Sequence, residues 1–175
     1  MGLQQGRIQA GLVFGVALGV SSGFIFLFVL FGSLLDKAGA GNYFIKSAFA
    51  LLGHMRGGPA KAAVVASAAT GLISGSSIAN VVTTGTFTIP LMKRSGYQPH
   101  YAAGVEATSS IGGQLMPPIM GAGAFVMATY TQISYNIIVV VSILPAILYF
   151  AAVGFFVRIE AKRSHVNALD TEEVS

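Results

Sequence analysis

"AAVVASAATGLISGSSIANVVTTGTFTIPLM", residues 62–92, contains no charged residue, yet within it Gly71, Ser74, Gly75, Ser76, Ser77 and Asn80 crowd into ten positions. Arg56 and Lys61 precede the run, and Lys93 and Arg94 follow it. A single crossing would leave positive charge on both faces of a membrane, whereas Lys and Arg prefer cytoplasmic loops. A segment that enters, turns and returns keeps both flanks on one side. The stretch therefore reads as a re-entrant hairpin opening to the cytoplasm, with limbs at 62–73 and 78–91 and "SGSS" as its tip. Non-helical backbone at membrane depth is stable only where protein covers it or where it lines a wet cavity.

The rest of the chain supports a lipid solvent. Of 175 residues, 54% are hydrophobic and 9% charged, against about a quarter charged in soluble domains; the mean hydropathy is +0.73. The net charge of +4 is spread over short clusters between apolar runs, which reads as membrane flanks and argues against a nucleic-acid partner, whose basic residues would share one soluble face. With no cysteine there is no disulfide framework, thiolate metal site or cysteine nucleophile.

Working outward, residues 11–35 form an apolar run closed by Asp36 and Lys37. At about 1.5 Å per residue it spans a hydrocarbon core of roughly 30 Å, so residues 1–40 are expected to supply an N-terminal transmembrane helix. Residues 41–56 carry Phe44, Ala48, Leu51 or Leu52, and Met55 at helical spacing, with Asn42 and Lys46 on other faces; this predicts an interfacial amphipathic helix. Residues 101–133 contain Glu106 and then Gly112, Gly113, Pro117 and Pro118. A proline pair removes two backbone donors after glycines that weaken the helix, so a broken transmembrane helix with its break near 111–117 is expected. Residues 134–158 read as a cleaner transmembrane helix, and 159–175 as a polar cytoplasmic tail.

Two broken membrane elements in succession are a pointer to a transporter binding site. A dehydrated Na⁺ needs several oxygen ligands, which unwound carbonyls and Ser, Thr or Asn side chains supply without added charge. Ser74, Ser76, Ser77 and Asn80, with Thr108, Ser109, Ser110, Gly112 and Gly113, form the candidate set. From spacing alone, close helix packing by small residues explains them equally well. Glu106 is expected to pair with Lys93 or Arg94 near the interface, the alternative being a proton or ion relay. His54, His100 and His165 lie at segment edges, so no serine and base pair suggests an enzyme, and no transition-metal site or organic cofactor is indicated.

The combination of "SGSS", "PLMKRSGY" and "GGQLMPP" within residues 56–128 resembles the large membrane subunit of tripartite ATP-independent periplasmic (TRAP) transporters, most closely the type with fused membrane subunits. A looser match covers 23–55 and 134–150. The resemblance implies an all-α polytopic protein of the bacterial inner membrane. It also implies uptake of organic acids by Na⁺ symport in an elevator-type motion, with a periplasmic substrate-binding protein and a small membrane subunit or its fused equivalent as partners. Carried over, residues 74–80, Gly75 included, form the hairpin tip; Gly112 to Pro117 form the break; and both line a sodium site within a transport-domain part at 57–133. The stretch 41–56 becomes the arm, which puts the N-terminus outside. Family permeases hold two inverted repeats and this chain resembles the first, so a truncated permease is expected, with a non-transporting assembly or interaction module as the alternative.

Overall fold

The computed structural model describes residues 15, 17–55 and 57–163, which are helical throughout apart from turns. The protein is an all-α membrane protein. Helix α1 is built from three consecutive pieces: Ala17–Val20, a π-helical segment Ser21–Ile25, and Phe26–Lys37. Helices α2 (Ala40–Leu52), α3 (Gly58–Ser74), α4 (Ser77–Arg94), α5 (Pro99–Gly112), α6 (Ala122–Thr131) and α7 (Tyr135–Arg163) follow. The first part of the expected N-terminal span, residues 11–14, lies outside the described residues.

Small residues decide how the helices pack. On α3, Ala60, Ala62, Ala63, Ala66 and Ser67 are all fully buried. With these small side chains on its packed faces, α2, α4, α5 and α7 all pack against it, as small-residue faces allow in membrane bundles. Met92, Tyr97, Ala102, Val105, Val157 and Ala161 close one apolar cluster around Ala60 and Ala63. A second cluster joins Ile45, Ala48 and Phe49 of α2 to Ala62 and Ala66 of α3.

That second cluster corrects the face expected for the amphipathic helix. Gly41, Ile45, Ala48 and Phe49 point inward, while Leu51 is 70% exposed and Met55 42% exposed. The apolar residues outnumber one stripe, and the alanine face of α3 selects the stripe centred on Ala48. Asn42 and Lys46 are exposed as expected.

The segment expected as a hairpin is α3, a two-residue turn at Gly75 and Ser76, and α4, folded back against α3. Pro59 occupies the first turn of α3, where its missing N–H costs nothing. The broken helix is α5, a 3₁₀ turn Gly113–Leu115, an irregular stretch containing a cis Pro117–Pro118 bond, and α6. Among the described residues, α7 is the one helix long and apolar enough to cross a membrane, at 29 residues. It continues to Arg163, so residues 159–163 belong to a helix and not to a polar tail; Val157 and Ala161 anchor this end in the first apolar cluster. Residues 164–175 lie outside the described residues.

Candidate functional site

The hairpin tip and the break after α5 meet. Helix α3 ends at Ser74, and Gly75 turns the chain with a left-handed backbone (φ 57°), its N–H bonding the Gly71 carbonyl at 3.2 Å. Glycine adopts this conformation without the penalty a side chain brings. Space demands glycine as well, because a Cβ on Gly75 would collide with the Met120 carbonyl of the opposite break. Ser76 starts α4 as its N-cap, its hydroxyl accepting from the Ala79 N–H at 3.3 Å. Ser77 joins the two elements directly: the Gln114 amide donates to its hydroxyl at 2.6 Å.

One turn deeper, Gly71 and Gly113 touch backbone to backbone, since a Cβ on Gly71 would stand 2.5 Å from the Gly113 α-carbon. Asn80 packs beside them, its amide donating to the Ser67 carbonyl at 2.9 Å, so the second limb is tied to the first. The Asn80 Oδ1, Ser109 Oγ and Thr70 Oγ1 atoms are buried without a hydrogen-bond partner. Buried oxygens of this kind have lone pairs to offer a ligand.

A cavity of about 370 Å³ lies between tip and break, with Ser74, Gly75, Ser76, Gln114, Met120 and Gly121 among its walls. The break itself is held open by its own bonds: Gly121 N–H to the Gln114 carbonyl at 2.8 Å, and the Tyr135 hydroxyl to the Pro118 and Ile119 carbonyls at 2.6 and 3.0 Å. Two helices, α3 and α5, end here, and two, α4 and α6, begin here. Carbonyl ends carry partial negative charge and suit a cation, while amide ends suit an anion.

The residues expected from the sequence divide into two groups. Ser74, Gly75, Ser76, Ser77, Asn80 and Gly113 gather at the junction. Thr108 is exposed, and its carbonyl accepts from the Tyr149 hydroxyl at 2.7 Å. Gly112 faces α7, where a Cβ would meet Tyr149 and Phe150. Ser110 turns its hydroxyl to Glu106 at 3.1 Å, Ser109 is buried one position away, and Pro117 stands in the irregular stretch, half-buried.

Glu106 is not the interfacial ion-pair member the sequence led us to expect. It is fully buried, and its carboxyl group meets the hydroxyls of Thr84, Thr88, Ser67 and Ser110, while Lys93 and Arg94 are exposed at the end of α4. Two turns of α5 carry Glu106 past the interface, and α3 and α4 present hydroxyls where it arrives. A signal for this was in the sequence: Asn80, Thr84 and Thr88 recur every fourth residue and so share one face of the limb. Gln114, Gly71 and Met120 carried no such periodic signal. Among the described residues no group of His, Cys, Asp and Glu could hold a metal ion.

Residues 5–175 match the family model described as the tripartite ATP-independent periplasmic transporter, DctM component. The chain belongs to this TRAP large-permease family. It is similar to the C4-dicarboxylate TRAP transporter large permease protein DctM of Rhodobacter capsulatus, 37% identical over 58% of this chain and 23% of that protein. The counterpart in Pseudomonas aeruginosa is 37% identical over 61% of this chain and 25% of that protein. The ectoine TRAP transporter large permease protein TeaC of Halomonas elongata is 30% identical over 54% of this chain and 22% of that protein. The chain thus spans about a quarter of the length of these TRAP relatives. No solved structure matches it significantly.

Proposed function

We propose that this chain forms the part of a TRAP permease that binds a coupling Na⁺ between the tip of a cytoplasm-facing hairpin and the break of the following helix. The observation that carries the reading is the junction itself: α3 ends at one small cavity walled opposite by Gln114 and Met120 of the break, and Gly75 with Met120, and Gly71 with Gly113, bring their backbones into contact. Ser74, Gly75, Ser76, Asn80 and Gly113 are the proposed core of the ion site. Thr108, Gly112 and Ser110 are left to packing and to Glu106.

Within the whole transporter, the hairpin and broken helix move as one body against α1 and α7 in an elevator-type step, α2 serving as the connecting arm. The imported solute is an organic acid, a class to which the C4-dicarboxylates named in two relatives belong; the ectoine named in a third indicates that solutes vary across the family. A periplasmic substrate-binding protein delivers the solute, a small membrane subunit or fused equivalent completes the scaffold, and the site of action is the bacterial inner membrane, which the chain crosses more than once. No organic cofactor takes part. Uptake into proteoliposomes holding this chain together with the remainder of a permease and its binding protein tests the reading. Accumulation that follows an inward Na⁺ gradient and is lost in Ser74→Ala supports it; equal accumulation without Na⁺ overturns it.

A further inference from the structure

A cavity of about 770 Å³ lies away from the tip, between the first limb α3 and the long helix α7. Its walls are apolar: Val65 and Ala68 from α3, and Ala151, Gly154 and Phe155 from α7. Its one end is basic, formed by Lys61 of α3 with Arg158 and Lys162 of α7. The register makes this inevitable. Lys61 and Val65 are four residues apart on α3, and Gly154, Arg158 and Lys162 follow at the same spacing on α7, so each helix presents an apolar stripe that terminates in positive charge at the same end. Lys61 and Arg158 are near enough for their charges to act on one another. Phe155 is 66% exposed and Val65 45%, so the groove opens sideways on this chain.

We infer that this groove is a binding site for an anionic phospholipid, its headgroup phosphate held by Lys61, Arg158 and Lys162 and one acyl chain lying between α3 and α7. Charge complementarity selects this occupant. An apolar trough closed by three basic groups at one end matches an amphiphile with a negative head, and basic pockets between membrane helices are known to take such headgroups. Length agrees, since Phe150 to Lys162 covers about 18 Å of helix, comparable with one leaflet of a core roughly 30 Å thick. Room agrees as well, because a Cβ added at Gly154 meets nothing within 4 Å. The inference rests on the chain lying in a bilayer and not on its transport activity.

Native mass spectrometry of the chain in mild detergent, with equal phosphatidylglycerol and phosphatidylcholine of matched acyl chains, tests it. The wild-type chain is expected to retain phosphatidylglycerol selectively. Arg158→Gln with Lys162→Gln lowers that selectivity by roughly thirtyfold, from the contribution of each basic residue near an anionic headgroup. Gly154→Phe fills the trough and abolishes retention, while Lys93→Gln, at the exposed end of α4, leaves it unchanged. Equal retention of the two lipids by wild type overturns the inference. So does a loss in Lys93→Gln as large as in the double variant, and so does displacement of bound lipid by inorganic phosphate, which marks the basic end as a free-anion site.

Discussion

Gly71 on the first hairpin limb and Gly113 at the break of the following helix lie in backbone contact: a Cβ on Gly71 would collide with the Gly113 α-carbon, and one on Gly113 would meet the Asn80 amide nitrogen at 2.9 Å and the Gly71 α-carbon at 3.1 Å. This contact sets how closely the tip approaches the break. Gly71→Ala places a methyl 2.5 Å from the Gly113 α-carbon, and the backbones must separate. Overpacking of this kind costs about 1–3 kcal/mol. Thermal unfolding in detergent is expected to show a clear loss for Gly71→Ala, whereas Gly104→Ala, with open space around the added methyl, shows none. Equal stability of both variants would contradict the contact.

Glu106 fastens the two limbs to α5 through hydroxyls of three helices. Glu106→Leu leaves the hydroxyls of Thr88 and Ser110 without their buried acceptor, at about 1–3 kcal/mol for each group stranded. Glu106→Gln keeps an acceptor and adds a donor in the same volume, so it is expected to remain close to wild type. A leucine variant as stable as the glutamine variant would remove the polar fastening from the account.

Tyr97 is 3% exposed, stacks on Tyr101 at 5.5 Å, and its hydroxyl finds no partner. Burial first, then the neighbouring Tyr101 and Glu160, push its phenol up to about 12. Tyr97→Phe discards an unpaired polar atom, so stability at neutral pH is expected to hold or rise by up to about 1 kcal/mol. The sign of the pH effect follows from the raised value. The wild-type contribution is complete below the ordinary phenol range near 10 and declines as pH rises toward 12. Alkaline unfolding curves should therefore fall less steeply for Tyr97→Phe.

Much of this architecture was legible from residue type. Charge-free runs, their basic flanks, the glycine and proline punctuation and the SGSS turn pointed to helices where α2 to α6 and most of α7 lie, because in lipid the backbone must satisfy itself and helix is the form that does so. What escaped was set by tertiary contact. The buried stripe of α2 was chosen by the alanines of α3, and the environment of Glu106 by hydroxyls from two other helices that come within reach after folding. The same holds for Ser110 and Thr108, adjacent to Ser109 in sequence yet directed to Glu106 and to α7.

Gln114 bridges break and tip by a hydrogen bond to Ser77. Gln114→Ala is expected to loosen the junction without unfolding the bundle. Hydrogen exchange should rise at residues 74–79 and stay unchanged at 60–66, since opening free energies follow local packing. Uniform exchange across α3 would contradict a local junction.

The central claim is that the junction of tip and break binds Na⁺. Thermal stability of the purified chain, titrated with NaCl against choline chloride at constant ionic strength, tests it most directly, because a ligand that binds the folded state alone raises stability with its concentration. A saturable rise with Na⁺ is expected that choline does not produce and that Ser74→Ala abolishes. An identical response to the two salts, or a Na⁺ response unchanged in Ser74→Ala, would contradict it.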